Sequence, residues 1–266
     1  MNSVKADFFY RKPLKKGESK PIFGLAEPDP QRPDHKSFER EVINARSKAT
    51  SFKREGFKLL NHKSSVEDFY DDQSVASAYY LEMQELAKKE TNADEVFIVS
   101  HITRNELEAQ NGKRLGAHRL VHNDFTPNFS QTVKPIIENV TFKPSKISVF
   151  NLWRRFDKDG VDAPFAVCDS RTVSEKELIP TDLHNYLEDQ EDSLTVEIFQ
   201  SSHSDKHEWN YYPKMNRDEV LMFKTYDSTL NPFMPTLHSA FDDISFEGKD
   251  VSPRMSLEVR AICFFN

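Results

Sequence analysis

A chain of 266 residues is long enough to bury a sizeable core, as one large domain or two small ones. Its formal charge of −7, from 36 basic and 43 acidic residues, disfavours nonspecific binding to nucleic acid or anionic membranes. Only 7 glycines are present and neither GxxxxGK nor GxGxxG occurs, which excludes the glycine-rich phosphate loops. Cys168 and Cys263 are too few for a disulfide framework and do not form a zinc motif. The opening MNSVKADFFYRK lacks the apolar run of a secretory signal, and no stretch approaches the roughly 18 apolar residues of a membrane span. The expectation is a cytoplasmic protein with a small-molecule partner and no nucleic-acid or membrane partner; a homodimer is left open.

In chain order, residues 11–37 carry five prolines and many charges. Residues 1–37 therefore read as an irregular N-terminal arm. SFEREVINARS is compatible with helix or strand, and REGFKLLNHKSS with a short strand and a turn. SVEDFYDDQSVASAYYLEMQELAKKETNA is the clearest helix, with Val75, Tyr79, Leu81, Met83, Leu86 and Ala87 near helical spacing. From about residue 95 onward the texture changes to short runs rich in Val, Ile, Phe, Tyr and Thr. These are DEVFIVSHITR, SKISVFNLWRR, APFAVCDSRTV, LTVEIFQSS, DEVLMFKTYDS and SLEVRAICFF, and one more strand is expected around His122. Such spacing predicts one mainly β (α+β) domain: a β-sandwich or barrel over about 95–266, buttressed by the preceding helices.

Two stretches contain His-x-Asp: RLVHNDFTPNFS with His122 and Asp124, and SSHSDKHEW with His203 and Asp205. On an extended strand residues i and i+2 point the same way, about 6.6–7 Å apart, so either pair can chelate a metal from a strand end. A nonheme iron(II) site needs one such pair and a histidine from elsewhere, with three coordination positions left open. The second pair lies in a very polar stretch that reads as a solvated turn, whereas the first sits between Leu120-Val121 and Phe125. His238, in NPFMPTLHSAFDD, is an attractive third ligand because its setting is apolar and precedes a final strand. The alternative is three ordinary polar residues satisfied by hydrogen bonds.

The final strand strengthens the metal reading. In PRMSLEVRAICFF, alternation places Arg254, Ser256, Glu258 and Arg260 on one face and Met255, Leu257, Val259 and Ala261 on the other. Four polar residues on one face need either solvent or a polar cavity. An arginine fork with a hydroxyl two residues on suits a carboxylate. On SVFNLWRR, Asn151 and Trp153 share a face: the amide suits a carboxylate and the indole suits a pocket wall. Of Tyr211 and Tyr212, the latter is the candidate hydroxyl toward the same ligand. Phe125, Phe129, Phe233, Met234 and Arg154 are candidate pocket residues, with Arg104, Arg114 and Arg119 near the mouth. For each of these the competing reading is core packing or a solvated surface.

Seven segments in the same order carry a resemblance to a known family: REGFKLLNHKSSVEDFYDD, VFIVSHITR, RLVHNDFTPNFS, FNLWRR with APFAVCDSRTV, EWNYYPKMNRDEVLMFKTYDS, LHSAFDD and PRMSLEVRA. From about Ala45 onward the chain resembles the oxidoreductases related to the gibberellin desaturase, the cephalosporin methoxylation protein CmcJ and the endoperoxide-forming NvfI. The resemblance implies a double-stranded β-helix (jelly-roll, cupin-like) that uses Fe(II), 2-oxoglutarate and O₂. It implies His122, Asp124 and His238 as iron ligands, with Arg254 and Ser256 on the far carboxylate of 2-oxoglutarate. It further implies oxidation of an unactivated C–H bond in a natural-product intermediate of fungal secondary metabolism. The outcome would be hydroxylation, desaturation, cyclisation or endoperoxidation. Two departures stand out. The gap from His238 to Arg254 is wider than usual, and Trp153-Arg154-Arg155 replaces a Trp-Arg-Pro, adding a charge expected near the cavity mouth. Against this stand two alternatives: an iron oxidase without 2-oxoglutarate, and a cupin-like binding protein without turnover.

Overall fold

The computed structural model describes residues 2–24, 32–184 and 196–266. Fourteen strands form among the described residues: β1 (Ser3–Arg11), β2 (Ile22–Gly24), β3 (His35–Asn44), β4 (Phe57–Asn61), β5 (Glu95–Asn105), β6 (His122–Asn123), β7 (Lys146–Arg155), β8 (Phe165–Cys168), β9 (Leu178–His184), β10 (Val196–Ser201), β11 (Trp209–Tyr211), β12 (Glu219–Asp227), β13 (His238–Ala240) and β14 (Met255–Phe265). They form two sheets. One has nine strands, in the order β1-β3-β11-β8-β13-β6-β10-β9-β2, and the other five, in the order β4-β12-β7-β14-β5. This is the expected double-stranded β-helix.

The six strands read from β-propensity all form, as does the strand at His122. The N-terminal arm requires correction. Residues 3–11 pair with residues 35–43 in an antiparallel ladder, and Phe8 and Tyr10 are fully buried against Trp209 and Phe241. Alternation explains this: Ala6, Phe8 and Tyr10 point inward while Lys5, Asp7 and Phe9 do not. Only the stretch after Arg11 keeps the irregular character that its prolines and charges suggest, and residues 25–31 of it lie outside the described residues. SFEREVINARS becomes β3. The sheets thus draw strands from well before residue 95.

One helical run is built from Asp72–Ser74, a π-type turn over Val75–Tyr79, and Tyr80–Thr91. Asp71 caps its start by accepting from the Gln73 N–H, and Asn92 closes it in the left-handed region at φ 58°. Val75, Tyr79, Met83, Leu86 and Ala87 form the buried stripe, and Leu81, off that stripe, is 60% exposed instead of core-facing. The stripe packs on Leu257, Val259 and Ala261 of β14 and on Phe150 and Leu152 of β7. This covers the outer face of the five-stranded sheet, so the alternate residues of β7 and β14 face the space between the sheets. That space holds the site. Among the described residues no helix is long and apolar enough to cross a membrane.

Candidate metal and cosubstrate site

β6 and β13 are neighbours in the nine-stranded sheet, and His122 and His238 are direct cross-strand partners. Their rings face the same side, with centroids 4.2 Å apart. Asp124 follows two residues after His122, on the same side. Its Oδ1 lies 3.4 Å from His122 Nε2 and 3.5 Å from His238 Nε2, and all three ligand atoms fall within 4.8 Å of one another. Donor atoms bound at right angles to one metal at about 2.1 Å would stand about 3 Å apart, so a small inward shift closes the set.

The tautomers suit a metal. His122 Nδ1 donates to the Leu120 carbonyl at 2.7 Å, and His238 Nδ1 to the Thr236 carbonyl at 3.1 Å. Each bond commits Nδ1 as the donor and leaves the Nε2 lone pair facing the other ligands. Burial lowers the His122 pKa, and His238 beside it adds to the effect, which favours the neutral ring that a metal requires. Burial alone would raise the Asp124 carboxyl. The Arg260 guanidinium, followed by the two histidines, outweighs this and holds it well below the usual carboxylate range.

Asp124 Oδ2 is fully engaged: Asn151 Nδ2 donates at 2.8 Å, and Arg260 Nε and Nη2 at 2.7 Å each. Thr225 in turn donates to Asn151 Oδ1 at 3.1 Å. These contacts turn Oδ1 toward the histidines. Asn151 is therefore corrected from a cosubstrate contact to an orienting partner of Asp124, since it is fully buried and does not line the cavity. Arg260 was placed on the correct face by alternation, but its partner was not foreseen. The register that puts Arg260 opposite Asn151 across β14 and β7 brings both to the same carboxylate.

Arg254 and Ser256 line the same cavity as the three ligands, with Trp153, Phe165 and Glu258. The Arg254 guanidinium is 2% exposed, donates to Ser256 Oγ at 3.1 Å and to the Ala163 carbonyl at 2.9 Å, and lies 5.0 Å above the Trp153 ring. Ala163 is held at φ 40°, a left-handed position uncommon for alanine. Asp162 Oδ2 accepts from the Arg254 backbone N–H at 2.7 Å, but among the described residues no carboxylate forms an ion pair with the Arg254 guanidinium within 4.0 Å. Burial and then the neighbouring Arg155 push the guanidinium down to about 9. The Trp153 indole N–H is also buried without a partner among the described residues. A cation and a donor left in this state fit a bound carboxylate.

Other candidates lie elsewhere. Arg154 points to the outer face of β7, where it donates to Tyr79 Oη, the His62 carbonyl and Nδ1, and the Arg217 carbonyl; it does not line the cavity. Arg155 is not a free charge at a mouth, because it forms a buried bidentate pair with Asp157 at 2.9 and 2.7 Å. Tyr212 is bonded to Thr50 and belongs to the apolar cluster behind Trp153 and Phe165 without itself lining the cavity, and Tyr211 packs with Phe241. Phe129 stands behind Phe125, with ring centroids 4.5 Å apart, so that only Phe125 reaches the cavity. Phe233 packs on Phe199 and Tyr226, and Met234 against the cluster around Phe8 and Trp209. Arg119 is bound to Asp242 and Glu106, and Arg114 to Glu108. Arg104 does line the cavity, as does His118, which sequence reasoning missed because nothing local distinguishes it. His203 stacks on Phe38 at 3.8 Å and contacts Arg40, far from the triad residues. Larger clefts of about 470 and 560 Å³ exist at the surface; Tyr211 lines the first, but neither is lined by the triad, Arg104 or Arg254.

With this geometry in hand, similarity to known proteins is informative. The sequence model described as "Oxidoreductase/YMDC permease-like domain" matches residues 8–264. The chain is 34% identical over 197 residues to the Fe(II)/2-oxoglutarate-dependent dioxygenase nvfI of Aspergillus novofumigatus, covering 73% of this chain and 69% of that protein. It is 29% identical over 239 residues to the alpha-ketoglutarate-dependent dioxygenase phiK of a fungal species, covering 85% and 83%. A solved structure of the iron and alpha-ketoglutarate-dependent endoperoxidase NvfI superposes with a TM-score of 0.81 at 26% identity, covering 100% of this chain and 99% of that one.

Proposed function

The chain belongs to the Fe(II)/2-oxoglutarate-dependent dioxygenase family, and from that premise we propose that it oxidises an unactivated C–H bond of a small-molecule natural-product intermediate. In this reading His122, Asp124 and His238 hold the iron, and Arg254 with Ser256 takes the far carboxylate of 2-oxoglutarate. The observation that carries it is the conjunction, in one cavity, of two Nε2 atoms and one carboxylate oxygen aimed together with a buried guanidinium that has no carboxylate. Iron, 2-oxoglutarate and O₂ supply the oxidising power when bound.

The chain's own residues do the positioning. The Leu120 and Thr236 carbonyls fix the imidazoles, and Asn151 and Arg260 fix the carboxylate. Arg254 and Ser256 would hold the far carboxylate of the diacid in the cavity that the three ligands also line. Phe125, Ile102 and Ile198 exclude water from the other side. The relatives' names include an endoperoxidase and a hydroxylase/desaturase (CTB9 of Cercospora beticola), so the outcome follows from how the pocket aims one C–H bond. An iron oxidase without the cosubstrate would leave Arg254 a buried cation with no counterion.

The test is anaerobic titration of 2-oxoglutarate into the Fe(II) protein, followed by its absorption band, and then succinate release on admitting O₂. A protein that binds iron but shows no band and releases no succinate would overturn the reading.

A further inference from the structure

The cavity contains a second guanidinium that the iron and the cosubstrate leave unmatched. Arg104 on β5 is the cross-strand partner of Ser256 on β14, which puts its side chain on the cavity face. Among the described residues its side chain makes one hydrogen bond, from Nη1 to the Gly116 carbonyl at 2.8 Å. Among the described residues no carboxylate oxygen lies within 4.0 Å of it. Its neighbours differ. Arg260 is paired to Asp124 and Glu258, Arg155 to Asp157, and Arg119 to Asp242 and Glu106. Burial lowers the Arg104 pKa, as expected of a cation drawn from water without full compensation.

Charge counting leads the same way. Three guanidiniums (Arg104, Arg254, Arg260) face two carboxylates (Asp124, Glu258) in this cavity. Two charges from Fe(II) and two from 2-oxoglutarate cancel, which leaves one positive charge. A low-dielectric site with one unmatched cation favours a monoanion.

The lining around Arg104 indicates the rest of the ligand. The cavity has two halves that share Ile102, Arg104, His118, Arg260 and the ligands His122 and Asp124; of the two shared guanidiniums, Arg260 is already paired with Asp124 and Glu258. One half holds Arg254, Ser256 and Trp153, the cosubstrate side. The other is walled by Phe125 and by Leu183, Val196 and Ile198, an apolar cluster from β9 and β10. A ligand there would place hydrocarbon on these side chains and its charge on Arg104.

We propose, resting on the dioxygenase reading, that the substrate is an apolar organic acid whose carboxylate is held by Arg104. Arg104 is then a specificity-determining residue that fixes which carbon lies beside the iron.

Calorimetric titration of the anaerobic Fe(II) protein at saturating 2-oxoglutarate tests this with cyclohexanecarboxylate and its neutral isostere cyclohexanecarboxamide. The acid should bind about ten- to a hundredfold more tightly than the amide, the range of one charge-assisted contact. Arg104→Gln should reduce the acid to the affinity of the amide without moving the 2-oxoglutarate titration, and Arg104→Lys should recover part of the difference. Equal binding of acid and amide by the wild type, or no measurable binding of either, overturns the proposal; this comparison needs no variant to fold. A shift of the 2-oxoglutarate titration in Arg104→Gln as large as that in Arg254→Ala also overturns it, by placing Arg104 on the cosubstrate. An intact 2-oxoglutarate band with no acid preference sinks this inference alone, whereas loss of the band in the wild type sinks the dioxygenase reading and this inference with it.

Discussion

Replacing Arg254 by alanine isolates the cosubstrate contact from the metal. The guanidinium is 2% exposed and its protein partners are two neutral oxygens, Ser256 Oγ and the Ala163 carbonyl. Neither neutralises its charge. A carboxylate docking on the fork would gain two charge-assisted hydrogen bonds, each worth about 1.5–3 kcal/mol. Removing the cation also strands that carboxylate in a buried site, for which losses of about 3–5 kcal/mol are typical. The lower figure already corresponds to more than about a hundredfold in affinity. Arg254→Ala should therefore raise the 2-oxoglutarate concentration needed to saturate the anaerobic iron complex by on the order of a hundredfold or more. Iron binding should barely change, because Arg254 donates no ligand atom to the metal group.

A stability readout separates this from general damage. Cosubstrate at a hundred times its dissociation constant stabilises a folded protein by about 2.7 kcal/mol. Wild type should show that gain in thermal unfolding, and the alanine variant should lack it at the same concentration. Arg254→Lys should restore only part, since an ammonium cannot reproduce the fork. An unaltered titration in Arg254→Ala would refute the reasoning. It would move the cosubstrate to Arg104 or Arg260, because Arg154 is on the far side of β7.

Other expectations follow from the same geometry. His122→Ala and His238→Ala should each lose stoichiometric iron while remaining folded, with His203→Ala as the unaffected control; metal analysis and circular dichroism check this. Arg260→Leu removes the Nε and Nη2 bonds to Asp124 and should weaken iron binding about 10- to 100-fold by titration. Deleting residues 1–11 removes two fully buried aromatics, Phe8 and Tyr10, each contributing about 1.5–3 kcal/mol. Chemical denaturation should show a loss of several kcal/mol, with metal and substrate binding falling together; a selective loss of substrate binding at unchanged stability would refute this structural role. Asp34 joins Arg11 and His35 at the β1–β3 hairpin, and although burial opposes it, these partners hold its carboxyl down at about 2. A depressed carboxyl stabilises above its unfolded value and loses that contribution as pH falls through its folded value. Asp34→Asn should therefore be less stable than wild type near pH 6, and the difference should shrink as pH falls toward about 2 and vanish below it.

Much of this site is legible because two local rules reach it directly. Period-2 alternation fixes which residues of β14 share a face, and Arg254, Ser256, Glu258 and Arg260 do line one cavity. His-x-Asp marks two places, and only the apolar flanks of the first distinguish them. What local rules miss is pairing between distant strands. Nothing near Asn151 says that Asp124 will claim its amide; that follows from the β7–β14 register and the approach of the two sheets. Likewise, the partner of Phe8 and Tyr10 is a strand two dozen residues on, across a proline-rich stretch whose composition dominates a local reading. Short elements such as β11 and β13, three residues each, fall below the length at which periodicity carries information.

The arginines of this protein sort by how they are satisfied, and the sorting itself points to function. Arg155 and Arg119 carry carboxylates and hold loops together. Arg154 has no carboxylate partner among the described residues, but four neutral acceptors use its donors, and it faces the helical run instead of the cavity. Arg260 spends its charge on Asp124 and Glu258. Arg254 and Arg104 are left with two and one protein acceptors, respectively, and both open on the space beside the metal ligands. A fold selected for stability alone would replace such cations with apolar side chains of similar volume, often at no cost or with a gain. Their retention in an otherwise well-satisfied interior is explained if each meets an anion from outside the chain. Arg254 lines only the half that also holds Ser256 and Trp153, whereas Arg104 lines both halves, which leaves Arg104 open to a second anion when a diacid sits on Arg254.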